Sequence, residues 1–165
     1  MDAAITLDDA QVRGLLGRLV QAGSDLTPAM AAIARGLETS IRVRFERETG
    51  PDGKRWLPSR RAREEGGQTL VESGDLLSSI SHAFGPTFAA AGPERSGGAA
   101  VYAAIHQFGG TIRPKAKRAL AFGGRLAGAV KIPARPYLGF DDGDREMIVD
   151  VLTGHLRAAL GEGAA

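Results

Sequence analysis

Three histidines, His82, His106 and His155, and the stretch YAAIHQFGG (residues 102–110) are where this 165-residue chain could carry chemistry. A metal site needs several His, Cys or carboxylate ligands that converge. The histidines fall on three separate expected elements, no HExxH or paired-histidine spacing occurs, and there is no cysteine. Nucleophilic catalysis needs a positioned nucleophile, a base and an orienting acid. GxSxG is absent, and the serine of ESGD (72–75) reads better as a helix cap. His106 has no acid near it in sequence, because residues 95–140 contain none. Neither GxxxxGK[ST] nor a strand-linked GxGxxG occurs. The sequence thus assigns no catalytic, cofactor-binding or metal-ligating residue, and predicts no cofactor, no small-molecule substrate and no enzyme.

The same stretch has a structural reading. A short helix over residues 100–107 puts Tyr102 and His106 on one face, one turn apart. Gly109 and Gly110 stop it and allow positive φ, so the chain can reverse into a strand. Tyr102, His106, Gln107, Gly109 and Gly110 then form a structural corner, with His106 and Gln107 expected to bond backbone groups there. Trp56, the only tryptophan, lies in the turn-rich TGPDGKRWLP (49–58) and is expected to anchor that loop to the body.

Charge is unevenly placed. The whole chain carries +2, yet residues 95–140 hold eight basic residues and no acid, so the remainder carries −6. Segregation of this kind suits a polyanion or an acidic protein surface. Arg113, Lys115, Lys117, Arg118, Arg125, Lys131 and Arg135 are the candidates for contact with DNA or with a neighbouring subunit. The aromatics of the span are not spaced as a base-stacking motif, so sequence-specific nucleic-acid binding is not expected. Nonspecific contact and a solvated basic face both remain.

The elements that would position these residues follow from periodicity. Residues 7–22 form an amphipathic helix with Val12, Leu15, Leu16, Leu19 and Val20 on one face, Thr6 and Asp9 as a cap pair and Gly23 as the stop. Thr27-Pro28 opens a second helix, Thr27 as cap and Pro28 at the first helical position, with Met30, Ile33, Leu37, Ile41 and Phe45 as its stripe. RRAREEGGQ (60–68) reads as a solvated connection, and Ser73 as a cap. Ser79 to Phe84 and Thr87 to Ala91 read as a hairpin around Gly85-Pro86. Residues 111–132 read as short strands of an antiparallel sheet, joined near Gly123-Gly124, before Pro133 and Pro136 hold residues 132–140 extended. A last helix begins at Asp141 or Asp142 with an acidic first turn, carries Met147, Ile148, Val151, Leu152 and Leu156 on one face, and ends in a frayed GEGAA tail. The prediction is an α+β fold in which N-terminal helices and a C-terminal helix pack on a small antiparallel sheet. It is one domain over 1–165, with a helical part at 7–48, a mainly β part at 70–140 and the C-terminal helix at 141–160.

No run approaches the ~18 apolar residues that span a bilayer. MDAAITLDDAQ lacks the basic region and apolar run of a signal peptide. Together with the lack of cysteine, this predicts a soluble protein made in a reducing cytoplasm.

The ordered set PDG-x-x-W, SGDL-x-x-SI, YA-x-IHQFGG and PARPYLG, preceded by DLTPAM, resembles the phage virion morphogenesis family, the tail completion proteins of Mu-like and related contractile-tailed phages. The resemblance spans about residues 7 to 160. It implies a virion component made in the bacterial host cytoplasm, without catalysis, acting at the tail or neck in tail completion and head–tail joining. It also implies a homo-oligomeric ring whose partners are other tail and neck proteins; within such a ring the basic span would face either a neighbouring subunit or, nonspecifically, packaged DNA. The alternatives are a capsid assembly factor of a phage or prophage, and a nonspecific nucleic-acid-binding module.

Overall fold

A computed structural model of the chain describes residues 10–94, 98–114, 119–122 and 125–161. The elements run α1 (Ala10–Ser24), α2 (Thr27–Arg47), α3 (Arg60–Glu64), α4 (Asp75–Ser78), β1 (Ile80–Gly85), β2 (Phe88–Pro93), α5 (Gly98–Phe108), β3 (Gly110–Ile112), β4 (Leu120–Phe122), β5 (Arg125–Ala127), β6 (Val130–Ile132) and α6 (Asp142–Leu160). The fold is α+β. The strands, however, form three separate antiparallel pairs, β1-β2, β3-β6 and β4-β5, rather than one sheet. The three-residue strands of 110–132 are too short to recruit further neighbours and close only on each other.

The organising element is α2, which packs against the β1-β2 hairpin on one side and α6 on the other. Its stripe behaves as the periodicity requires: Ile33, Leu37, Ile41 and Phe45 are buried, with Met30 half-buried at the edge. Gly36 lets α6 approach, since a Cβ there would meet the Met147 side chain at 2.8 Å. The core proper joins Ile41, Phe45, Trp56, Leu76, Ile80, Ala103 and Tyr137. Phe45 is its hub, edge-on to Trp56 with centroids 5.4 Å apart and tilted against Tyr137 at 5.3 Å.

Several local expectations change. Thr27 is the first helical residue and not the cap; Leu26 holds the cap position, and Asp25 accepts the Thr27 N–H at 3.1 Å. α1 runs through Gly23 to Ser24, because packing on α6 outweighs the ~1 kcal/mol that glycine costs a helix. Its expected single apolar face splits: Leu15 and Leu19 are half-buried, whereas Leu16 and Val20 face solvent. The Val12 side chain and the Thr6/Asp9 pair lie outside what the structure describes. RRAREEGGQ contains a helix, α3, started by Ser59, whose Oγ accepts the Ala62 N–H at 3.1 Å, and backed by an Arg60–Glu64 pair one turn apart. Gly74 is the cap position of α4, with Ser73 Oγ accepting the Asp75 N–H at 3.4 Å. α6 begins with a full capping box between Asp141 and Asp144 and ends on Gly161 in the left-handed conformation; residues 162–165 of the expected frayed tail lie outside the described residues.

Candidate assembly surface and its structural corner

The YAAIHQFGG corner is built by α5 running into β3 and is covered by residues 133–139. Gln107 is the joint. Its Oε1 accepts the N–H groups of Tyr137 and Leu138, each at 3.0 Å, and its Nε2 donates to the Leu138 carbonyl at 3.0 Å. One side chain thereby satisfies three backbone groups of an extended segment that has no strand partner there. Tyr137 is 1% exposed, and its hydroxyl donates to the Ala103 carbonyl at 3.1 Å. Burial pushes the phenol up to about 12. Trp56 is buried, and its indole N–H donates to the Pro136 carbonyl at 2.8 Å, tying the 49–58 loop to the same segment.

His106 behaves differently from its expected role. Its carbonyl accepts the Arg135 N–H at 2.7 Å, but the buried ring Nδ1 has no hydrogen-bond partner. Burial, reinforced by the nearby Arg135 charge, holds its pKa below the ordinary histidine value, so the ring is neutral at pH 7. Tyr102, on the same helix, is exposed and points away from the core.

Gly109 and Gly110 both adopt positive φ, +70° and +156°. A Cβ on Gly109 would stand 2.7 Å from the Ala134 nitrogen and 3.1 Å from the Ile132 carbonyl, both of them backbone atoms that cannot swing aside. Gly109→Ala is expected to cost about 2 kcal/mol, from left-handed strain plus displacement of residues 132–134. A midpoint in urea unchanged from wild type would show that the corner opens without cost.

The basic candidates scatter. Lys131 is exposed on β6, and Arg113 is exposed just past the end of β3. Arg135 departs from the expected exposed basic face: it is 5% exposed, and its Nε donates to the Leu57 carbonyl at 2.7 Å. Lys115, Lys117 and Arg118 lie outside the described residues, as does the side chain of Arg125.

Two charge clusters escaped sequence reading. Arg44 is 4% exposed inside α2. Its Nη1 donates to the carbonyls of Tyr137 (3.2 Å) and Gly139 (2.8 Å), and its Nη2 bonds Asp141 Oδ2 (2.9 Å) and Asp144 Oδ2. Those carboxylates are the α6 capping box, so one guanidinium locks the 137–141 segment and the start of α6 onto α2. The available signal was position: Arg44 falls three residues after Ile41 and seven after Leu37, on the apolar face. The second cluster links α2 to the hairpin. Glu38 accepts from Arg42 and pairs with His82 Nδ1, while Arg42 Nη2 reaches the Ile80 carbonyl at 2.6 Å. The His82 hydrogen bond, then that of Arg42, holds the Glu38 carboxyl below its ordinary range.

Among the described residues no group of three or more His, Asp or Glu side chains is placed to hold a metal ion, and no helix is long and apolar enough to cross a membrane. What the surface offers instead is apolar area. Leu16, Val20, Leu57, Phe108, Leu126 and Val149 are each more than half exposed. Among the described residues, more large apolar side chains are exposed than are fully buried.

The phage virion morphogenesis family model matches residues 7–157. The putative capsid assembly protein G of Escherichia phage Mu is 35% identical over 78% of this chain and 78% of its own length. The Mu-like prophage FluMu G protein 2 of Haemophilus influenzae is 36% identical over 81% of each. No solved structure matches the chain. With a match that takes in every element from α1 through most of α6, and two relatives at 35% and 36% identity over most of the chain, the chain belongs to the phage virion morphogenesis family and serves in the assembly of a phage particle.

Proposed function

We propose that the protein is a non-enzymatic structural subunit of the phage tail or neck. It acts in tail completion and head–tail joining as a member of a homo-oligomeric ring. The observation that supports this most is the exposed apolar area, spread over unlike elements: α1, the loop at Leu57, the tips of the hairpins, the end of α5 and the outer side of α6. A ring subunit needs two dissimilar contact faces, because a rotation that closes on itself joins one patch to a different patch. Other tail and neck proteins cover what remains. The exposed Arg113 and Lys131, with the lysines and arginine of 115–118, give either a subunit contact or a weak, sequence-blind contact to DNA passing through.

A second reading has a specific support. The Mu relative is described as a putative capsid assembly protein. Electron microscopy of lysates lacking this protein separates the two. A tail or neck subunit predicts filled heads accompanied by unjoined or aberrant tails, and the protein itself present in purified wild-type particles at the tail. Normal free tails with missing or malformed heads would overturn that and establish the capsid role.

A further inference from the structure

Arg135 is a largely buried cation that no carboxylate among the described residues answers. It is 5% exposed, and its only side-chain hydrogen bond is the neutral one from Nε to the Leu57 carbonyl. No carboxylate among the described residues pairs with it, whereas the other buried guanidinium, Arg44, holds two. Beside it, His106 Nδ1 is buried without a partner. A buried guanidinium normally has an anion, because desolvating it otherwise costs several kcal/mol. The surrounding surface is also unusual. Leu57, whose carbonyl Arg135 bonds, is 61% exposed, and Tyr102 (56%) and Phe108 (78%) lie on the helix of His106, whose carbonyl accepts the Arg135 N–H. A largely desolvated charge, with large exposed apolar side chains on the elements that hold it, has the composition of an interface hot spot.

We infer that this corner receives the acidic stripe of α6, Glu146 and Asp150, from a second copy of the chain. A carboxylate fits better than a DNA phosphate: an almost fully covered guanidinium is reached by a slender side chain and not by a bulky phosphodiester. The chain itself carries the complement. Glu146 and Asp150 are exposed, one helical turn apart and free of ion pairs, while Asp142 one turn earlier is taken by Arg145. Val149, three residues from Glu146 on the same helix and 61% exposed, offers apolar surface to Leu57, Tyr102 and Phe108. Corner and stripe are different patches of one molecule, so the contact is head-to-tail and propagates. The inference rests on the proposed ring.

The test is self-association of the full-length protein, followed by light scattering across concentration. Glu146→Gln with Asp150→Asn removes both charges from an exposed face. It is expected to leave the thermal unfolding of dilute protein unchanged while raising the concentration for association at least about thirtyfold. Arg135→Gln should give the same shift, and adding it to the α6 pair should cost nothing further. Should Arg135→Gln fail to fold, a second experiment replaces it. The chain has no cysteine, so Tyr102→Cys with Val149→Cys should form disulfide-linked multimers on oxidation. Association of the α6 variant at the wild-type concentration, no cross-linking, or a wild type that stays monomeric throughout would each overturn this contact. Such a result leaves the tail role standing, since that role is decided by the lysates and the particles. A capsid phenotype would remove the tail reading without touching the association measurement.

Discussion

Arg44→Met lowers the stability of the folded chain by about 3–5 kcal/mol, the cost of stranding a buried charge by deleting its partner. The carboxylate left behind is Asp144, 3% exposed, and the carbonyls of Tyr137 and Gly139 lose their donors. Met matches the aliphatic stem, so the loss reports charge and hydrogen bonds more than volume. Urea unfolding measures it directly. Adding Asp144→Asn, which removes the stranded charge but keeps a capping acceptor, should recover part of the loss, and the cycle should be strongly non-additive. A loss under about 1 kcal/mol would mean that water replaces Arg44 and that the cluster contributes little. The cluster also sets a pH dependence. Burial alone would raise the Asp141 carboxyl, but the Asp144 backbone N–H and the Arg44 guanidinium together bring it below the ordinary aspartate value. A depressed carboxylate contributes stability that is full above its unfolded pKa, near 3.9, and is lost as pH falls through the folded value. Wild type should therefore lose stability below about pH 4, with a shallower loss in Arg44→Met.

Gln107→Leu is expected to cost about 2 kcal/mol, since two partly buried N–H groups lose their acceptor, each at the lower part of the about 1–3 kcal/mol that a stranded buried group costs. The readout that identifies the cause is hydrogen exchange: the amides of Tyr137 and Leu138 should lose protection selectively, while those of α2 keep theirs. Protection retained at both would show that residues 137–138 are held by packing on Phe45 and not by the Gln107 amide. The neutral His106 imidazole adds its own term at the same corner. Its folded pKa lies below the unfolded value near 6.5, so the unfolded chain binds the extra proton and stability falls as pH drops below about 6.5. Wild type and Gln107→Leu should share that slope, because Gln107 does not bond the ring.

Both variants act on residues 133–141, which have no regular secondary structure and still fix the molecule. Trp56, Gln107 and Arg44 each reach this segment from a different element. It carries α6 to its place on α2, and α6 carries α1. Loosening it should therefore disturb the outer face of α6 as well as the corner, which are the two patches assigned to the subunit contact.

The sequence by itself determined what depends on near neighbours. Apolar residues at helical spacing make α2 and α6 wherever they occur, Asp141 followed by Asp144 caps a helix by local hydrogen bonds, a hairpin forms where expected but turns at Pro86-Thr87, one residue later than Gly85-Pro86, and Gly109 admits a turn that other residues resist. Ordered motifs also carried the family. Tertiary structure alone decided what depends on residues far apart in the chain. Arg44 reads locally as one more helical charge; it becomes the clamp of α6 only because Asp141 and Asp144, nearly a hundred residues on, arrive beside it. Arg135 reads as part of a basic surface and is instead buried, because the neighbouring prolines and Gln107 draw its segment inward against Leu57. Leu16 and Val20 read as one face with Leu15 and Leu19, and are exposed because α1 packs mainly on α6 and on one side only. Burial and charge pairing are sums over the whole molecule, and no window of sequence contains them.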